Sequence, residues 1–220
     1  MEGIKPFEFK QCVSIIKATG RKAGDIQALR NIMAEVSDES IFHHTCQYFL
    51  KGHFLEYTNE FAQWAGEGLE ESALSERLSN IDPYGYKNIS DLRSELLNVL
   101  DICISSLPKT RKAVAGGEFY FNETITFTFH IGLKVKNLAE FLLAVKYVES
   151  AVIYYHFYEA RIRLGVDDFS AWIEQTFDKK KLADRIRGID PFMHSIEGIR
   201  EHIVEALEEE IKKDMEAISG

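Results

Sequence analysis

Two histidines stand at matching places in this chain. Imidazole is the side chain whose ordinary pKa lets it trade a proton or hold a metal near neutral pH. His44 lies in Ser40-Ile-Phe-His-His-Thr45 and His156 in Ser150-Ala-Val-Ile-Tyr-Tyr-His156. Brought together, the pair would bind a ligand or metal, or relay a proton; the competing reading is a core histidine bonded to a backbone carbonyl. More metal-ligating types cluster near His44, with His43 and Cys46 one helical turn apart and His53 beyond. A zinc site needs three or four convergent ligands, and these three follow no established spacing, so a metal on His43, Cys46 and His53 is not expected. Arg93 and Arg200 offer planar forks to a carboxylate or phosphate. Their alternative task is to bridge Asp82 and Asp190 and fasten the last helix of each half. Trp64 and Trp172 are candidate stacking surfaces for a ligand, although aromatics at helical spacing more often anchor a core.

These candidates come in pairs because the chain repeats itself. Phe7-x-Phe9 falls on Phe119-x-Phe121 at a shift of 112, which also sets Gly20 on Gly132, Val36 on Val148 and His44 on His156. Beyond residue 56 the shift becomes 108, through an insertion in the first copy near 52–55. There Phe61-x-x-Trp64 meets Phe169-x-x-Trp172, and Ile81-Asp-Pro83 meets Ile189-Asp-Pro191. A further single-residue step to 107 pairs Arg93 with Arg200. The repeat sets two domains, 1–108 and 109–220, joined by a short linker around Pro108 and Gly116-Gly117. So short a linker predicts copies packed together with a pseudo-twofold relation.

Within each copy the plan is mainly α-helical. An alternation of Ile125, Phe127, Phe129 and Ile131 with threonines and His130 predicts a short strand early in copy two, with a weaker counterpart at Val13 and Ile15. Helical spacing follows over 25–36 and 137–148, begun by Asp25 and Asn137 as N-caps. Further helices are expected over 40–51 and 150–164, 58–66 and 167–177, and 74–81 and 182–189. Asp82 and Asp190 then cap the turns that follow. Amphipathic helices over 89–104 and 195–218 close the copies, giving about five helices each. The last carries Ile196, Ile199, Ile203, Leu207, Ile211 and Met215 on one stripe and offers a dimer face.

The 220 residues carry a net charge of −9. The basic cluster at Lys179-Lys-Lys181 sits among acids, so neither nucleic acid nor an anionic membrane is an expected partner. No apolar run reaches the roughly 20 residues of a bilayer span. The first residues lack the apolar stretch and cleavage site of a secretion signal. Three cysteines without a C-x-x-C pair fit a reducing compartment, and a cytoplasmic protein is expected. Phosphate-binding loops, H-E-x-x-H and the G-x-S-x-G elbow are all missing from the sequence.

The motifs taken together resemble the uncharacterised prokaryotic proteins grouped as domain of unknown function 5752. They are Phe7-x-Phe9, Thr19-Gly20, Ser40 to Thr45, Asn59-Glu-Phe61-x-x-Trp64, Leu74 to Tyr84 and Leu92-Arg93, with their second-copy partners. The resemblance covers nearly the whole chain and implies a shared fold, but it brings no activity or cofactor. A binding or protein-interaction module without catalytic activity is therefore expected, homo-oligomeric or with a protein partner and open to a small-molecule ligand. The alternative is an enzyme or metal-binding protein with a histidine-containing site between the repeats.

Overall fold

The computed structural model describes residues 5–47, 57–106, 111–191 and 193–219. His53, the insertion near 52–55 and the linker around Pro108 lie outside them. Each copy opens with a strand and continues in helices. In copy one these are β1 (Phe7–Ala23), α1 (Ile26–Glu35), α2 (Asp38–His44), α3 (Glu60–Gln63), α4 (Ser72–Ser79) and α5 (Ile89–Ser106). In copy two they are β2 (Phe119–Val135), α6 (Leu138–Tyr147), α7 (Ser150–Ile153), α8 (Ala160–Leu164), α9 (Asp168–Phe177), α10 (Lys180–Arg187) and α11 (Ile196–Ser219).

The helix starts follow from side-chain oxygens that satisfy otherwise orphaned N–H groups. Asp25 accepts from Ala28, Asn59 from Ala62, Asn137 from Glu140 and Asp167 from Ser170. Asp82 accepts from the N–H of Tyr84 and so caps the single 3₁₀ turn Pro83–Gly85. Helix α2 begins earlier than its apolar spacing predicts, because Ser37 caps it. Two stretches wind wider than an α-helix. Trp64–Gly68 extends α3 as a π-helical turn, and Tyr154–Glu159 joins α7 to α8 in the same way. A Cβ at Gly68 would lie 2.6 Å from the Trp64 ring, so that turn requires glycine. In the second stretch all six side chains are buried.

Both strands are 17 residues long and pair in a two-stranded sheet. Lys17 faces Glu123 and Lys22 faces Glu118, so partner numbers fall as strand numbers rise, the signature of antiparallel pairing. Gly20 and Gly132 take the left-handed φ of +75° and +76° at matching points of the two strands. The strands exceed the alternating segment. Phe127 and Phe129, which set the alternation, are 48% and 50% exposed.

The chain falls into two compact units, Met1–Val13 with Phe127–Gly220 (unit 1) and Ser14–Thr126 (unit 2). These bounds do not follow the repeat copies, for a reason visible in the aromatic packing. In unit 1, Phe7 and Phe9 of β1 pack on Phe141, Phe169 and Trp172, which are helical residues of copy two. In unit 2, Phe119 and Phe121 of β2 pack on Phe61 and Trp64 of copy one. Each copy lends the first half of its strand to the other copy's helices. Four nearly fully buried phenylalanines contribute on the order of 2 kcal/mol each from the area they hide, ample reason for the exchange.

Candidate functional site

In unit 2 the buried end of α2 brings His43 and His44 against Glu60 on α3. His44 Nε2 accepts the backbone N–H of Asn122 at 2.9 Å. A backbone N–H can only donate, so Nε2 carries the lone pair and the proton sits on Nδ1. That Nδ1–H donates to the Glu60 carboxylate. His43 Nδ1 lies 2.8 Å from Thr124 Oγ1, whose own hydroxyl donates to Gln47 Oε1. Thr124 therefore accepts from His43, which leaves the lone pair of His43 on Nε2. His43, His44 and Glu60 each present a ligand-type atom, all within 4.8 Å of one another. Two ligands on one zinc ion stand at most about 4.2 Å apart, so small side-chain adjustments would close the set. Both imidazoles are buried, while Glu60 keeps a fifth of its side chain exposed beside a cleft of about 370 Å³.

Unit 1 repeats half of this arrangement. His156 Nε2 accepts the N–H of Lys10 at 2.8 Å, and Nδ1 bonds Asp168 at 2.7 Å. Lys10 matches Asn122, and Asp168 matches Glu60, under the shifts of the repeat. The place of His43 is taken by Tyr155, under the Arg163 guanidinium. Burial, helped by the Lys10 and Arg163 charges, lowers the pKa of His156 against the pull of the Asp168 carboxylate. No second metal-capable cluster occurs among the described residues.

The paired histidines thus belong to different units, and each is engaged on both nitrogens within its own. Sequence reasoning missed Glu60 and Asp168, although an acid at the same step of the repeat was the available signal. Trp64 and Trp172 donate their indole N–H groups to the carbonyls of Gly117 and Lys5, pinning the incoming strands. Arg93 and Arg200 do not reach Asp82 and Asp190. Arg93 donates to the carbonyls of Met33 and Val36, and Arg200 to those of Val145 and Val148, because the last turns of α1 and α6 leave carbonyls unpaired. Cys46 stays out of the histidine cluster; burial pushes its thiol up to about 12, far from the thiolate a metal needs.

Residues 4–208 match the family described as "Family of unknown function (DUF5752)". The chain is also similar to the solved structure of OrfY from Thermoproteus tenax. The identity is 32% over 95% of this chain and 97% of that one, with a TM-score of 0.79. No curated protein matches it. No helix among the described residues is long and apolar enough to cross a membrane.

Proposed function

Given that the chain belongs to the family of unknown function DUF5752, we propose that unit 2 binds a divalent metal ion at the His43, His44 and Glu60 cluster. The observation that carries this is the convergence of two ligand side chains, His43 and Glu60, at one buried point that opens at Glu60, with His44 bonded to the acid beside them. The hydrogen bonds divide their roles. His43 and the Glu60 carboxylate would supply the ligand atoms. His44 acts as a positioning residue, because a metal on its Nδ1 would strip both ring nitrogens of protons while Asn122 occupies Nε2. Imidazole with carboxylate suits first-row ions such as Zn²⁺ or Mn²⁺. Glu60 also lines the cleft with Gln63, Glu67 and Glu118, through which water or a ligand would reach a bound ion. Dialysis of the purified chain against Zn²⁺ or Mn²⁺, then metal analysis, tests the reading. One ion per chain is expected, lost in His43→Ala and Glu60→Gln and weakened in His44→Gln. A chain that retains no ion, or retains it equally in His43→Ala, would overturn it.

A second reading, an interaction module that pairs with another copy or another protein, draws on one surface of unit 1. Leu133 and Val135 of β2 and Leu143 and Tyr147 of α6 line an apolar groove of about 410 Å³. The matching residues of copy one are Arg21, Ala23, Asn31 and Glu35, with an ion pair between Arg21 and Glu35. At that point copy one keeps only the buried Ala23 as an apolar side chain, which supports a partner role for the exposed Leu133, Leu143 and Tyr147 of unit 1. Light scattering on the intact chain tests this, and a strict monomer that captures no partner would count against it.

A further inference from the structure

The cleft beside the histidine–acid pair occurs in both units, at matching residues, but its chemistry differs. In unit 2 it measures about 370 Å³, and its lining holds Glu60, Glu67 and Glu118 with no lysine or arginine. In unit 1 it widens to about 1010 Å³. Gln63 has become Ala171, which opens the wall, while Glu67 and Glu118 have become Gln175 and Pro6. Lysines replace the neutral residues at two more places. Lys5 matches Gly117, and Lys10 matches Asn122.

Pairing inside unit 1 sharpens the contrast. The two acids that line its cleft are already engaged, Asp168 by His156 and Glu8 by Lys134 and His130. The ammonium groups of Lys5 and Lys10 join no ion pair or side-chain hydrogen bond among the described residues, in a protein whose net charge is −9. Beside them Trp172 and Leu164 give the cleft an apolar wall, Leu164 being 62% exposed. Lys5 and Lys10 outnumber the one lining acid that no cation pairs, Asp168, whose hydrogen bond goes to an imidazole. Set next to an aromatic wall in a cavity of ligand size, they form a site for a negatively charged group with an apolar body. The backbones at both lysines are held in place, the carbonyl of Lys5 by the Trp172 indole and the N–H of Lys10 by His156.

We infer that the unit 1 cleft binds a small organic anion, a phosphate ester or carboxylate with an apolar portion, its charge between Lys5 and Lys10 and its body against Trp172 and Leu164. This site is separate from the metal cluster and stands whether or not that cluster takes an ion. Phenyl phosphate is the probe, titrated into the intact chain while the two indole N–H signals are followed by NMR, with Trp64→Phe assigning them. Saturable movement of the Trp172 signal is expected, at least tenfold weaker in Lys5→Ala/Lys10→Ala and weakened by added salt. Leu164→Ala should weaken phenyl phosphate and leave inorganic phosphate unchanged, which separates the apolar contact from the charge. His43→Ala should have no effect. The proposal is overturned if the Trp172 signal does not saturate, or if phenyl phosphate binds the double-lysine variant as well as the parent chain.

Discussion

In unit 2, His44 takes the N–H of Asn122 and gives its proton to Glu60; in unit 1, His156 takes the N–H of Lys10 and bonds Asp168. Trp64 and Trp172 bind the backbone of the incoming strand on the same pattern, and Arg93 and Arg200 tie down matching carbonyls. The histidine and tryptophan contacts survive duplication because they hold a borrowed segment in place, and the arginines because they close the end of a helix in their own copy. What has drifted lies next to them: His43 against Tyr155, Glu67 against Gln175, Asn122 against Lys10. Either unit serves as an internal control for the other. A residue that occurs twice is explained by the shared fold; one that occurs once is explained by a local turn, as at Gly68, or by something outside the fold.

The strongest way to break this comparison is to cut a borrowed phenylalanine. Phe9→Ala and Phe121→Ala, at residues 1% exposed, should each cost about 3–5 kcal/mol in urea denaturation. Hydrogen exchange should then show lost protection in α6 and α9 for Phe9→Ala and in α2 and α3 for Phe121→Ala. Losses in the variant's own copy would disprove the exchange.

Next comes His156→Ala, which strands the Lys10 N–H and should cost about 1–3 kcal/mol. The same imidazole predicts a pH effect. Its folded pKa lies below the ordinary 6.5, so the unfolded chain binds the proton first. Its contribution is complete above the unfolded value, shrinks as the pH falls below 6.5 and is gone once the folded pKa is passed, at up to about 1.4 kcal/mol per pH unit. Urea midpoints compared for wild type and His156→Gln should show the variant to be the flatter.

Arg93→Ala and Arg200→Ala should each cost about 1–2 kcal/mol, and similar amounts in both, since each removes two carbonyl bonds of the same kind. Thermal melts of the two variants check the match. Tyr155→His should disturb stability least and change the metal count instead. It completes beside His156 and Asp168 the set found in unit 2, and metal analysis should rise from one ion per chain to two.

Much of the helical plan was legible in the sequence because it depends on neighbours. Asp25, Asn137 and Asp167 are caps that act three residues away, and the apolar spacing of α5 and α11 needs no distant partner. The strands were harder. A one-sided sheet betrays itself by alternation, but much of this ribbon is exposed, so residues such as Lys17, Thr19 and Arg21 carry no such rhythm. The repeat placed His44 opposite His156 but could not say whose strand either one holds, since alignment shows equivalence and not contact. Glu60 escaped notice because one copy uses glutamate and the other aspartate, identical in charge and different in letter.

Strand exchange also sets an order for folding during synthesis. When α1–α5 have emerged, their core still lacks Phe119 and Phe121, which the ribosome adds only after another stretch of chain. Phe7 and Phe9 wait for α6 and α9, more than a hundred residues further along the chain, before they are covered. Neither half can close early, and β1 is buried only after the helices of the second copy have been made. For over a hundred residues of synthesis the nascent chain carries an unsatisfied aromatic strand, the kind of surface that chaperones hold and that neighbouring nascent chains can trade.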